Sequence, residues 1–364
     1  MNDVRSLMWV RMVMVLVAVL MPVWARAQTA PPPIPPEVER RQVVPFLEGT
    51  YVFLTVPRDD IRFEADIQPN FVISQNFSDK LILEESGPKP RFAYSIVGTP
   101  RVRLRMFDAR SAPVRTPSYM PKGTFMGMMF RREPTQNGKQ GSRVGLWAGQ
   151  ITVGHHSNGQ DGCLFTTDVL IDEECVGEPD LDQINRIDGS FSTNYVRIGG
   201  RYRREWLRDV SSDAQKAAGI EEQMGANEFT IGVDYDRHFH TDERQAPFYG
   251  QNRLQVSFAA ATHFRKVCRS RANAGVTAYY VGEQPEDVGS FAVQIEGSCT
   301  FTDQGGWGVF VRYYHGQDYY NLGWVDSISR VMVGAHFEQD GFLRFVSRKA
   351  RDAAEAVRRR REAR

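Results

Sequence analysis

Beyond residue 62 the chain repeats one pattern, in which apolar and polar side chains alternate over short runs that end in Gly, Pro, Asn or Asp. Phe229-Ile231-Val233-Tyr235, Leu254-Val256-Phe258-Ala260, Phe291-Val293-Ile295, Trp307-Val309-Val311-Tyr313 and Val331-Val333-Ala335-Phe337 are clear cases. A period of two gives strands with one apolar face. Twelve such runs lie near 66–76, 91–98, 101–108, 119–132, 143–157, 192–205, 227–239, 252–264, 274–282, 289–301, 305–315 and 329–338. An even number of strands fits a closed outer-membrane barrel. The second face of 192–205 carries Tyr195, Arg197, Arg201 and Arg203, which suits a hydrated or salt-bridged lumen better than the outside of a soluble sandwich. The fold class expected is therefore all-β, a twelve-stranded antiparallel transmembrane β-barrel.

Two segments break the alternation. Residues 213–222 read as a short helix in a turn. From Ser347 to Arg364 the chain holds 8 Lys/Arg against 3 Asp/Glu, a basic tail that reads as a solvated end, with acidic lipid headgroups as the alternative partner.

The first residues supply the compartment. Arg5 and Arg11 precede an apolar run from Met12 to Trp24 that ends in Ala25-Arg26-Ala27. That is the layout of a secretory signal peptide, too short to span a bilayer as a helix. The domain reading is a signal peptide over 1–27, a Pro-rich periplasmic lead-in over 28–61, the barrel over 62–345 and the tail over 346–364. Lys+Arg 45 against Asp+Glu 44 leaves a net charge of +1, which argues against nucleic acid as a partner. The four cysteines fall as Cys163 with Cys175 and Cys268 with Cys299, candidate local bridges in an oxidising compartment whose pairing sequence leaves open. No CxxC motif or Cys/His cluster supports a metal site instead.

The densest group of reactive side chains is Gly154-His155-His156-Ser157-Asn158-Gly159. Read as a strand, it puts Trp147, Gly149, Ile151, Val153, His155 and Ser157 on one face. His155 and Ser157 then stand about 6.5–7 Å apart at Cα, within reach of an imidazole–hydroxyl contact. A serine hydroxyl needs a base, and the base needs a group to hold its tautomer. Asn194 suits that role, because its strand puts it with Ser192, Val196, Ile198 and Gly200 on the apolar side. Three polar residues on a lipid-facing parity are costly unless they work. Two blander readings stand beside this one. Asn158-Gly159 is also a hairpin-turn dipeptide that the His-Ser pair would merely precede, and His155-His156 suggests metal binding, although adjacent strand residues point to opposite faces.

These residues resemble the outer membrane phospholipase A family of Gram-negative bacteria. His155-His156-Ser157-Asn158-Gly159 is similar to its H-x-S-N-G motif, and Ser190-Phe191-Ser192-Thr193-Asn194 to its S-x-S-x-N segment. Gln68-Pro69-Asn70-Phe71 looks like its first strand. Ser111-Ala112-Pro113-Val114-Arg115 with Tyr119 and Pro121 looks like its S-x-P-x-R-x-x-x-Y-x-P loop, and Gly316 through Gly334 like its last hairpin. The resemblance runs from about residue 66 to 342 and implies a calcium-dependent phospholipase at the cell outer membrane, cleaving acyl esters of glycerophospholipids. By the same resemblance Ser157 is the nucleophile, His155 the general base and Asn194 the residue that orients it. Ca²⁺ is implied at backbone oxygens of Ser111 and Gln160 and the side chain of Ser190, with its water and the Ser157 amide facing the oxyanion. A homodimer is implied as the active state, and phospholipid as the membrane substrate.

A periplasmic N-terminus would put the loops holding Ser111 and residues 158–191 outside, and Cys268 and Cys299 near the periplasmic rim. Two features depart from the family pattern. The 160–189 segment is long and acidic, with Asp161, Asp168, Asp172, Glu173 and Glu174 competing for a cation. Phe342 or Phe345 is followed by the basic tail where family chains finish on an aromatic residue. The competing classes are a catalytically silent structural or porin-like barrel of the same ancestry, and a soluble periplasmic β-protein that binds ligands.

Overall fold

The computed structural model describes residues 44–56, 61–77, 90–107, 114–134, 142–172, 174–178, 180–213, 216, 222–263, 271–282, 289–302, 305–341 and 344–346. The expected signal peptide, most of the basic tail, Ser111, Cys268, Phe342 and most of the helix at 213–222 lie outside them.

Alternation produces strands along the whole described chain. They are β1 (Thr50–Val56), β2 (Ile61–Ile67 with Phe71–Gln75), β3 (Arg91–Thr99 with Val102–Phe107), β4 (Ser118–Tyr119 with Lys122–Pro134), β5 (Ser142–Ser157) and β6 (Ser192–Asp209). The others are β7 (Glu222–Phe239), β8 (Asn252–His263), β9 (Arg271–Val281), β10 (Phe291–Thr300), β11 (Gly306–Gln317) and β12 (Ser327–Glu338). Each pairs antiparallel with the next, and β1 pairs with β12 through Thr50↔Phe337 to Val56↔Val331, so the sheet closes on itself. Closure removes the sheet edges, which is how strands satisfy their backbone inside a bilayer. Among the described residues no helix is long and apolar enough to cross a membrane, and the one α-helix is the turn Ala246–Tyr249.

The strand count agrees with expectation through two offsetting differences. The runs near 91–98 and 101–108 form one wall strand, because the register Thr99↔Lys122 continues as Val102↔Tyr119 across Pro100. Proline lacks the N–H of a ladder bond, so the pattern breaks while the chain continues. Conversely, Thr50–Val56, placed by the sequence reading in the lead-in that ends at 61, is the first barrel strand. The segment that resembles the family's first strand, Gln68–Phe71, therefore sits at the break in the second.

The two faces separate as the parity requires. Leu54, Phe92, Ile151, Val153, Ile198, Val233, Phe258, Ile295 and Trp307 are exposed on the outer wall. Inside, buried ion pairs join the strands: Arg105 with Glu64 and Asp318, Arg103 with Asp66, Arg201 with Asp234, Arg271 with Glu228. One end of the lumen is filled by an apolar cluster of Phe46, Met126, Met128, Phe130, Leu146 and Leu207. At the opposite rim Phe165 and Phe191, Tyr249, and Trp324 come from the loops 158–191, 240–251 and 318–326 and pack into a cap. The last hairpin, β11–β12, spans the segment expected for it.

Candidate active site

β5 and β6 are paired so that Ser157 faces Ser192 and Asn194 faces His155. On the other side of β5, Tyr119 pairs with Ser157 and the His155 N–H donates to Pro121 O at 3.0 Å. The three strands form a platform at the loop end of the barrel. His155 and Ser157 continue the outward parity of Ile151 and Val153, which are 52% and 58% exposed, so both point to the lipid side of the wall. Asn194 does the same on β6, two residues before Val196 and four before exposed Ile198.

The geometry assigns the protons. Nδ1 of His155 lies 2.9 Å from Oδ1 of Asn194. An amide oxygen only accepts, so Nδ1 carries the hydrogen and Nε2 is left as the basic nitrogen. Ser157 lies one strand repeat farther along the same face of β5. The arrangement suits general-base activation of an oxygen nucleophile directly against the lipid.

His156 points the other way, as alternation requires. It is buried in the cap, edge-on to Phe191 at 4.8 Å, with Tyr249 Oη 3.5 Å from its Nδ1. His155 and His156 therefore cannot share a metal. Gly154 is constrained by its cross-strand neighbour Tyr195, since a Cβ there would stand 2.4 Å from the ring. The glycine thus lets an aromatic cross the inner face directly beneath His155.

The Asn158-Gly159 pair is not the tip of a tight hairpin, because the chain returns only at Ser192. Asn158 is buried and stitches the strand end to the returning segment. Its N–H donates to Phe191 O at 3.1 Å, its Nδ2 to Gly189 O at 2.7 Å, and its Oδ1 accepts from Phe191 N at 3.0 Å and Gln160 N at 3.3 Å. Gly159, at a φ of 68°, takes the left-handed turn that follows.

The same stitch joins the two segments that carry Gln160 and Ser190, two of the three expected calcium ligands. Gln160 lies between Asn158, bonded to Gly189 and Phe191, and Gly162, whose carbonyl accepts from Ser190 N at 2.7 Å. The carbonyl of Ser190 accepts from Gln245 Nε2 at 2.9 Å, which ties this segment to the 240–251 loop. Hydroxyl and carbonyl oxygens fit a hard cation. The third, Ser111, lies outside the described residues. Among the described residues there is no group of three or more His, Cys, Asp or Glu that could hold a metal, and Glu173 lies outside them. Asp168 instead pairs with Arg244 through both oxygens, at 2.7 and 2.6 Å. Cys163 and Cys175 are disulfide-bonded and tie the base of the Val169–Ile171/Glu174–Val176 hairpin, and Cys299 is disulfide-bonded as well.

No family model and no curated relative matches the chain. Among solved structures it is similar to outer membrane phospholipase A from Escherichia coli at 12% identity, covering 80% of this chain and 97% of that one with a TM-score of 0.42. It is similar to the Salmonella typhi outer membrane phospholipase dimer with bound calcium at 11% identity, 84% and 99% coverage and a TM-score of 0.41. Pseudomonas putida OprB follows at 10%, 79% and 91%, with a TM-score of 0.26. The strand pairing and the apolar outer wall are by themselves those of an outer-membrane-type barrel.

Proposed function

We propose that this protein is a calcium-dependent phospholipase of the Gram-negative outer membrane that hydrolyses acyl esters of glycerophospholipids and is active as a homodimer. One observation carries the reading: an imidazole oriented by Asn194 stands on the lipid-facing wall beside Ser157, where an unused polar pair would be costly.

In this reading His155 Nε2 takes the proton of Ser157 as Oγ attacks the ester carbonyl. The proton then passes to the departing lysophospholipid oxygen as the acyl–enzyme forms. Water, deprotonated by the same nitrogen, releases the fatty acid and restores Ser157. Asn194 holds the imidazole in one tautomer through both steps. It lends no charge, so the imidazolium is stabilised less than beside a carboxylate. The Ser190 hydroxyl and Gln160 carbonyl, with Ser111, would hold Ca²⁺; when bound it supplies positive charge toward the oxyanion.

The competing reading, a silent or porin-like barrel, fits the site less well. It gives no reason for a hydrogen-bonded His-Asn pair facing hydrocarbon. Fatty-acid release from phospholipid in detergent micelles decides the matter, with wild type and Ser157→Ala each assayed in calcium and in chelator. Release that needs both Ser157 and calcium is expected. A folded, calcium-loaded, dimeric wild type that releases nothing would overturn the enzyme reading.

A further inference from the structure

Asn194 has two amide ends, and the second also has a partner. Its Nδ2 lies 3.3 Å from Nδ1 of His240, the first residue after β7. An amide nitrogen only donates, so His240 Nδ1 must accept, which leaves that ring protonated on Nε2. The two contacts agree in direction: His155 Nδ1–H donates to Asn194 Oδ1, and Asn194 Nδ2–H donates to His240 Nδ1.

Nothing in local packing requires a histidine here. His240 is exposed, and it sits at a φ of 53°, a left-handed conformation that non-glycine residues seldom adopt. Such a conformation persists where the surroundings over-determine it. They do so on three sides. Asn194 pairs with Phe239, whose ring meets the imidazole edge-on at 5.1 Å. Thr241 Oγ1 lies 2.9 Å from Thr193 Oγ1, which ties the residue after His240 to the one before Asn194. Farther along the same loop, Gln245 bonds Ser190 and Arg244 grips Asp168, Cys175 O and Gly177 O. An exposed side chain is thus delivered to one place, beside the amide.

We infer that His240 is a positioning residue for the proposed ester hydrolysis, fixing the amide of Asn194 so that its oxygen, not its nitrogen, faces His155. The inference rests on the proposed function for its catalytic meaning, and on the two hydrogen bonds for its structure. An Asn side chain has two nearly isosteric orientations, and only one of them accepts from His155. With the amide reversed, Nδ2 would face Nδ1 of His155, the imidazole would shift its proton to Nε2, and Ser157 would lose its base. An aspartate orienter needs no such control because its two oxygens are alike.

The test combines kinetics with a readout that needs no turnover. His240→Ala removes the acceptor. His240→Asn restores one, because Oδ1 of asparagine occupies nearly the place of imidazole Nδ1 and asparagine tolerates the left-handed backbone. In micelles with calcium, His240→Ala is expected to lower kcat about tenfold with KM little changed, a part of the roughly 10²–10⁴-fold that a general base supplies. His240→Asn is expected to return to within about twofold of wild type. Histidine ¹⁵N NMR should find His155 as the Nδ1–H tautomer and His240 as the Nε2–H tautomer in wild type, with His155 moving toward a mixture in His240→Ala. Wild-type kcat and an unchanged His155 tautomer in His240→Ala, alongside a dead Ser157→Ala, would overturn the proposal and leave the phospholipase standing. A wild type without turnover that shows the expected tautomers and their shift in His240→Ala would overturn the function and leave the relay in place. Loss in both His240 variants with unchanged tautomers would mark a merely structural residue and would also overturn it.

Discussion

His155 and Asn194 face each other across β5 and β6 and share a hydrogen bond of 2.9 Å on the outside of the barrel. The contact does for the imidazole what a carboxylate does elsewhere, without the charge. Two substitutions separate these contributions. Asn194→Ala frees the ring and is expected to reduce kcat by about 10²-fold, since a general base out of alignment loses most of its value. Asn194→Asp keeps an acceptor and adds a negative charge beside the ring, which favours imidazolium. Turnover should therefore survive in Asn194→Asp where Asn194→Ala loses it. A pH–rate series on the three proteins checks both.

Asn158 is the mechanical counterpart of Asn194. Replacing it with alanine strands the carbonyl of Gly189 and the N–H of Phe191 in buried surroundings, at a cost of about 1–3 kcal/mol for each group left unpaired. Asn158→Ala should therefore unfold at lower temperature in micelles, read by loss of heat-modifiable gel mobility. Asn158→Asp retains the acceptor and loses only the donor to Gly189, so its midpoint should fall between the two.

What the sequence made legible follows from periodicity. A period of two fixes faces, so the outward placement of His155, Ser157 and Asn194 and the inward placement of Arg197, Arg201 and Arg203 can be read without coordinates. The opening strand is harder. Thr50–Val56 alternates correctly but follows a Pro-rich stretch, and its assignment depends on β12, at the other end of the chain. Pro100 hides a continuous strand because a broken ladder bond looks like a turn. Asn158 and His240 lay beyond reach for a third reason: each acts through a loop return, and period two says nothing about where a loop comes back.

Asp318, in the loop after β11, links the cap to the wall. Burial would raise its carboxyl pKa, but the Arg105 guanidinium, bonded to both oxygens at 2.6 and 2.9 Å, holds it below the ordinary value. A carboxyl lowered on folding contributes stability that is complete above its unfolded value, about 3.9, and is lost as pH falls through the folded one. The barrel should therefore keep its unfolding temperature from pH 7 down to about 5 and lose stability only under stronger acid. Asp318→Asn should remove that part of the acid sensitivity and lower stability at neutral pH, because Arg105 then stays buried with only Glu64 opposite. Thermal scans against pH report both.

The lumen bears on the porin-like alternative. Glu48, from the segment leading into β1, reaches Lys122 at 2.7 Å, Arg101 at 3.5 Å and Arg197 at 3.6 Å, so one carboxylate ties the entering chain to β4, the β3 break and β6. Among the described residues the lumen holds a cavity of about 500 Å³ lined by Glu48, Arg101 and Arg197, with Phe46 packed toward one end and the Trp324 cap at the other. If these ion pairs close the lumen, the wild type shows no stepwise conductance in planar bilayers. Glu48→Ala removes the carboxylate that Lys122 shares with Arg101 and Arg197, while Arg101 keeps Asp66 and Arg197 keeps Asp236, and this should loosen the entering segment and admit an anion-selective leak. Steady porin-like steps in the wild type would show that the ion pairs do not close the lumen. A silent wild type with a leaking Glu48→Ala would show that they do.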